Sequence, residues 1–262
     1  MNAQFLSDLE ARARENHARI GIGIWKGDGE LISSLQGSRE YADLLLVGQI
    51  EGQSDLEVVS SEEPWQELAR MLAAGEIDGA VRGNLPASRT MRALARQFEI
   101  RVRRLALLAI PGWSFFLGPV GIDEGETVSD RLSLVTEGAK FLKRLGIVPQ
   151  VSVLSGGRLE DLGRSERVDR SLAEGELIAS LARDQGITAS HRGILIESCM
   201  GDDLIVAPEG ISGNLAFRTL LFLCRARAFG APVLMEEVFV DSSRARGDFI
   251  GPIMLASALA RI

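Results

Sequence analysis

The sequence predicts an α/β protein built on mainly parallel sheet. Three observations carry this. Short apolar runs alternate with amphipathic helical patterns along nearly the whole chain, joined by short polar loops. The runs are continuous, as in Ala42-Asp-Leu-Leu-Leu-Val47, which is typical of strands covered on both faces. Aromatic residues make up only 5% of 262 residues while 46% are hydrophobic, so the core must be aliphatic.

Taken in order, residues 4–18 have Phe5, Leu9 and Ala13 on one helical face. Ile20-Gly-Ile-Gly-Ile-Trp25 reads as a buried strand whose glycine face admits close packing. A helix near 31–40 leads to the strand 42–48. Pro64 at the start and Gly75 at the end bound a helix with Trp65, Leu68, Met71 and Leu72 inward. Ile77–Val81 is a short strand, followed by a polar loop and a helix over 89–98. Residues 101–110 form a strand, and Pro111-Gly112 turns the chain into a returning arm, 113–122, which interrupts the alternation. The clearest helix is 127–145, with Leu132, Val135, Ala139 and Leu142 in one stripe and Gly146 as its stop. Val151–Leu154 is a strand. The charged run 159–169 is expected to be mobile, and a helix occupies 170–184. Strands are expected at 193–196 and 203–207, a helix at 215–229, a buried strand within 230–241 that ends in a polar loop, and a last helix over 248–261.

Composition narrows the function. A formal net charge of -7 disfavours a nucleic-acid or anionic-membrane partner. No apolar run reaches the ~20 residues of a membrane span, and the N-terminus lacks the basic start and apolar stretch of a signal peptide, so a cytoplasmic protein is expected. Cys199 and Cys224 are too far apart in sequence to suggest a zinc site or disulfide framework and read as free thiols. The two histidines, His17 and His191, are isolated and read as surface residues, His191 in a loop; no metal cluster is expected. G-x-x-x-x-G-K-[ST] and G-x-S-x-G are absent, and Gly21-Ile-Gly23 does not extend to G-x-G-x-x-G because position 26 is Lys.

Ligands of open α/β sheets gather beyond the carboxyl ends of strands. Four loops there combine small residues with anion-binding groups: Arg82-Gly83-Asn84 with Arg89; Ser155-Gly156-Gly157-Arg158; Gly213-Asn214; and Ser242-Ser243-Arg244 with Arg246. Arginine grips phosphate or carboxylate through a bidentate fork, and glycine lets an oxyanion approach the backbone.

The order of these motifs resembles the phosphate acetyl- and butyryltransferases. Gly146-Ile-Val-Pro149 leading to Leu154-Ser155, the turn ending Gly213-Asn214, Pro232-Val233 followed by Asp241-Ser242-Ser243-Arg244, and Asp78-Gly-Ala-Val-Arg82-Gly83 all fit that pattern. Within that superfamily the chain most resembles the MtxX proteins of methanogens, a methanogenesis marker family described as methyltransferase-related. The resemblance implies two three-layer α/β domains with mainly parallel sheets and a cleft between them, 1–112 with 231–262 and 113–230. It also implies a homodimer and a small anionic substrate, coenzyme A or another phosphate-bearing ligand. By motif, Ser243 and Arg244 would bind the phosphate, Asp248 would be a base, and Ser155 and Asn214 would line the cleft; Ser242, Arg82, Gly83, Asn84, Arg89, Gly156, Arg158 and Gly213 complete the candidate binding set. The chain departs from the acyltransferase pattern at Gly156-Gly-Arg-Leu-Glu-Asp161, where S-T-x-G-S is usual, and at Arg192–Ser198, where two acids are lost. Three functions stay open: a phosphate acyltransferase-type transferase, a methyltransferase-related protein, and a non-catalytic binding protein on the same fold.

Overall fold

A computed structural model describes residues 1, 3–27, 29–51, 54–242 and 248–261. In chain order the elements are α1 (Ala3–Asn16), β1 (Ala18–Gly27), α2 (Gly29–Leu35), β2 (Ala42–Ile50), β3 (Glu57–Val59), α3 (Pro64–Ala73), β4 (Gly79–Val81), α4 (Ala87–Gln97), β5 (Ala106–Ile110), β6 (Trp113–Gly118), α5 (Val128–Arg144), β7 (Gln150–Leu154), α6 (Glu166–Asp184), β8 (Thr188–Gly193), β9 (Leu204–Val206), α7 (Gly210–Phe222), β10 (Arg227–Ala228), β11 (Ala231–Pro232), β12 (Phe239–Asp241) and α8 (Ile250–Leu259). The chain divides into two compact units. One holds Leu6–Val102 and Phe229–Ile262; the other holds Met1–Phe5 and Arg103–Ala228.

The first unit carries a six-stranded sheet ordered β11-β12-β4-β1-β2-β3. All pairings are parallel except β11 with β12. β1 lies near the centre because its glycines allow neighbours to close in. A Cβ on Gly23 would stand 2.3 Å from Leu85 Cδ1 and 2.8 Å from the Arg82 carbonyl, so the chain leaving β4 packs directly on that strand. Leu68, Met71 and Leu72 of α3 join Leu45, Val47, Ile77 and Ala80 in one core cluster, as the helical spacing predicts. α8 is buried along nearly its whole length.

The second unit carries a sheet ordered β10-β5-β6-β9-β7-β8. The strands from β6 to β8 run parallel. β5 and β6 form the hairpin that Pro111-Gly112 announces. α5 starts on a reciprocal cap, with Thr127 Oγ1 accepting from the Asp130 N–H at 3.1 Å and the Asp130 carboxylate accepting from the Thr127 N–H at 3.3 Å.

Several boundaries differ from expectation for identifiable reasons. β5 starts at Ala106, not 101, because Arg103 and Arg104 reach out to Glu137 (3.0 Å) and Glu124 (2.7 Å). The expected strand at 193–196 lies earlier, at 188–193, and Ile196–Cys199 is a 3-10 turn. The charged run 159–169 contains a 3-10 turn and the first turn of α6, capped by Ser165. α7 begins five residues before expectation, since Glu209 accepts from the Ile211 and Ser212 N–H groups at 2.7 and 3.1 Å. Gly210 and Gly213 are helical; a Cβ on them would stand 1.8 Å from the Gly121 carbonyl and 1.9 Å from the Pro119 carbonyl. The buried strand expected within 230–241 is two short strands, β11 and β12, with a turn between. Pro232, which has no N–H to donate, sits on the edge strand β11.

Candidate functional site

In the first unit the loops after β4 and β12 meet. Arg82 leaves β4 with its side chain 5% exposed. Its Nε donates to Asp241 Oδ1 on the neighbouring strand, and its Nη1 donates to the Leu85 carbonyl at 2.7 Å. Gly83 follows at φ +60, with a would-be Cβ 2.1 Å from the Gly23 carbonyl. Asn84 staples the loop to β1: its Oδ1 accepts from the Trp25 N–H at 2.6 Å and its Nδ2 donates to the Lys26 carbonyl at 2.8 Å. Ser242, buried just past β12, donates from Oγ to the Gly83 carbonyl at 2.9 Å. Arg82, Gly83, Asn84 and Ser242 are therefore brought together as an interlocked scaffold. Ser243, Arg244 and Arg246 lie outside the described residues. Asp248 is exposed and accepts the Ile250 N–H at 3.0 Å, closing the first turn of α8.

Arg89 stands on the first turn of α4 with its guanidinium 4.7 Å from the Trp65 ring centroid and 5.8 Å from that of Trp25. With Arg92 and Arg96, spaced along the exposed face of α4, it lines a groove of about 710 Å³ beside α3. No carboxylate pairs with these three arginines among the described residues.

In the second unit, β7 and β9 are adjacent, so the loops leaving them share one sheet edge. The loop after β9 leads into Asn214 on α7, whose Nδ2 donates to the Val120 carbonyl at 2.7 Å, while Gly213 lets the helix meet the Pro119 carbonyl. After β7, Ser155 is buried. Gly156 donates its N–H to Ser171 Oγ at 2.8 Å. Arg158 is exposed; its N–H donates to Asp161 Oδ2 at 2.9 Å, and its guanidinium is 3.9 Å from Glu160. Asp161, with that N–H and Arg164 on it, is held below the ordinary carboxylate range.

Sequence reasoning set His191 on a surface loop and missed Glu176. His191 is not in a loop: it is on β8, aligned with Val153 of β7. Its Nε2 is 2.8 Å from Ser155 Oγ and its Nδ1 is 3.4 Å from Glu176 Oε2 on α6. The available signal was Gly175, a glycine inside a helical pattern. A Cβ there would stand 2.7 Å from His191 Nε2. Among the described residues no group of three or more His, Cys, Asp or Glu could hold a metal ion, and no helix is long and apolar enough to cross a membrane.

No protein-family model matches the sequence. The chain is 46% identical over 267 aligned positions to a protein of Methanosarcina mazei named, in provisional terms, methyltransferase mtx subunit X; the match covers 98% of this chain and 95% of that protein. Among solved structures it resembles a phosphotransacetylase from Staphylococcus aureus, with a TM-score of 0.69 at 15% identity over 98% of both chains. A phosphotransacetylase from Streptococcus pyogenes superposes with a TM-score of 0.71 at 14% identity, again over 98% of both chains. At these identities the likeness is one of fold.

Proposed function

The chain belongs to the family of methyltransferase mtx subunit X proteins, and from that premise we propose that it is a transferase of the phosphate acyltransferase type that holds a phosphorylated or coenzyme A-like anion at the strand ends of its first unit. The observation that carries this reading is the buried scaffold of Arg82, Asp241, Gly83 and Ser242. It fixes the chain at the residue immediately before Ser243 and Arg244, at the carboxyl edge of a parallel sheet. The backbone up to Ser242 is held by these bonds, at the strand end where open α/β sheets bind their ligands. The guanidinium of Arg82 is already engaged by Asp241 and Leu85, so its role is to build the loop, and the gripping charge falls to Arg244. Arg89, resting on Trp65, adds a second cation near the start of α4. The test is calorimetry with inorganic phosphate and with coenzyme A. Arg244→Ala should abolish binding of both; unchanged affinity would refute the reading.

Methyl transfer is the second reading, and the names of the relatives favour it. A panel of methyl donors, starting with S-adenosylmethionine, decides it: transfer establishes it and a complete absence of transfer removes it. Phosphate binding with no turnover of any acyl or methyl donor would identify a non-catalytic binding protein.

The same proposal includes a homodimer. α7 presents an apolar stripe to solvent: Ile211, Leu215 (61% exposed), Phe222 and, just past its end, Leu223 (78% exposed). Its opposite face packs Ala216, Phe217 and Leu220 against a core cluster that includes Cys199. A helix apolar on both faces suits burial on both sides, and a second copy of the chain is the partner proposed for the outer one.

A further inference from the structure

Ser155, His191 and Glu176 form a linked series of side chains within the second unit. The imidazole has a polar neighbour at each nitrogen, with Nε2 2.8 Å from Ser155 Oγ and Nδ1 3.4 Å from Glu176 Oε2. Glu176 is itself held: Arg183 Nη2 donates to its Oε1 at 2.9 Å, while Arg183 Nη1 donates to the Ala189 carbonyl at 3.2 Å. The Ser155 backbone is pinned as well, its N–H donating to the Gly193 carbonyl at 2.8 Å, and Ile194 returns an N–H to the Gly157 carbonyl at 3.0 Å. Gly175 supplies the space, since a Cβ there would press on both the His191 ring and, at 3.1 Å, on Ser155 Cβ.

With the imidazole hydrogen on Nδ1, the nitrogen that faces the Glu176 carboxylate, Nε2 is an acceptor for the Ser155 hydroxyl. The other acceptor near Oγ is the Gly157 carbonyl, at a longer 3.5 Å. A serine whose hydrogen is drawn onto an imidazole, backed in turn by a carboxylate, has the mutual geometry of nucleophile, base and orienting group. Ser155 is only 2% exposed, but it stands at the carboxyl end of β7 and the next residue, Gly156, is open to solvent.

We propose that this is a second chemical site, with Ser155 as nucleophile, His191 as its general base and Glu176 as a positioning residue, acting on an activated acyl group such as an ester or thioester. Ser155 Oγ attacks the carbonyl carbon while its proton passes to His191 Nε2. The bond from carbonyl carbon to the alkoxide or thiolate leaving group breaks, and that group departs with the proton from His191. The resulting acyl-serine is cleaved by water, whose proton goes to His191 and then to Ser155 Oγ as the carboxylic acid leaves. The assignment does not rest on the anion site of the first unit, because the probe that tests it carries neither phosphate nor coenzyme A.

The experiment treats the full chain with p-nitrophenyl acetate and reads nitrophenolate release together with intact mass and peptide mapping. The expected result is one acetyl group per chain on the peptide bearing Ser155, absent in Ser155→Ala. His191→Gln should slow acylation by roughly 10²- to 10⁴-fold with an unchanged unfolding midpoint. Glu176→Gln, at an exposed position, should lower the acylation rate at saturating ester by a smaller factor, with the half-saturating ester concentration and the unfolding midpoint unchanged; a Glu176 with no part in orienting His191 would leave that rate in place. A native chain that carries no acetyl on Ser155 and releases nitrophenolate no faster than Ser155→Ala, or acylation at equal rates in His191→Gln, would overturn the assignment.

Discussion

Arg82 and Asp241 form a buried ion pair across the adjacent strands β4 and β12, with side chains 5% and 12% exposed. Removing the cation leaves a largely desolvated carboxylate without its guanidinium partner. Arg82→Ala should therefore destabilise the protein by about 3 kcal/mol, read as a lower denaturation midpoint in urea. Arg82→Met with Asp241→Leu should recover part of the loss.

Gly175→Ala gives a prediction whose sign is informative. On an open helix the change would stabilise by about 1 kcal/mol. Here the added methyl meets His191 Nε2 at 2.7 Å and Ser155 Cβ at 3.1 Å. Overpacking of this kind costs about 1–3 kcal/mol, so a net loss of stability in thermal unfolding, with displaced His191 ring resonances, is expected.

Leu215→Glu places a charge in the middle of the exposed stripe of α7. If that face joins two copies, light scattering coupled to size-exclusion chromatography should show a shift from dimer to monomer mass. Helical content should not change, since Leu215 makes no part of the core cluster beneath the helix.

The two thiols should separate cleanly. Cys224 is exposed and Cys199 is buried, and burial pushes the Cys199 thiol up, away from its reactive thiolate form. Titration with a disulfide reagent should label Cys224 in the native protein and both residues only in denaturant. Reaction of native Cys199 as fast as Cys224 would contradict the packing around it.

The fold was legible where the period of the sequence matched the burial it produces. Leu68, Met71 and Leu72 turn inward at helical spacing, and the run 42–48 is a strand within a parallel sheet. Legibility failed where a local signal served a long-range contact. Gly210 and Gly213 read as loop glycines, yet they are helical because two carbonyls from the 119–121 segment leave no room for a Cβ. Candidate residues showed the same split. Composition picked out Arg82, Asn84 and Ser242 as polar strand-end residues, and the structure brings them together. It could not say that Asn84 spends both ends of its amide on β1, nor that Glu176, His191 and Ser155 meet, because those pairings depend on where α6 and β8 lie against β7.

The interleaved order of the first sheet sets the timetable of synthesis. β12 sits between β11 and β4 and α8 packs beside it, so the strands made first wait for residues 229–261 before their sheet is complete. The segment Arg103–Ala228 is contiguous and leaves the ribosome whole. Co-translational folding should thus complete first in the middle of the chain, while the edge of the early sheet stays open to aggregation until the last residues emerge.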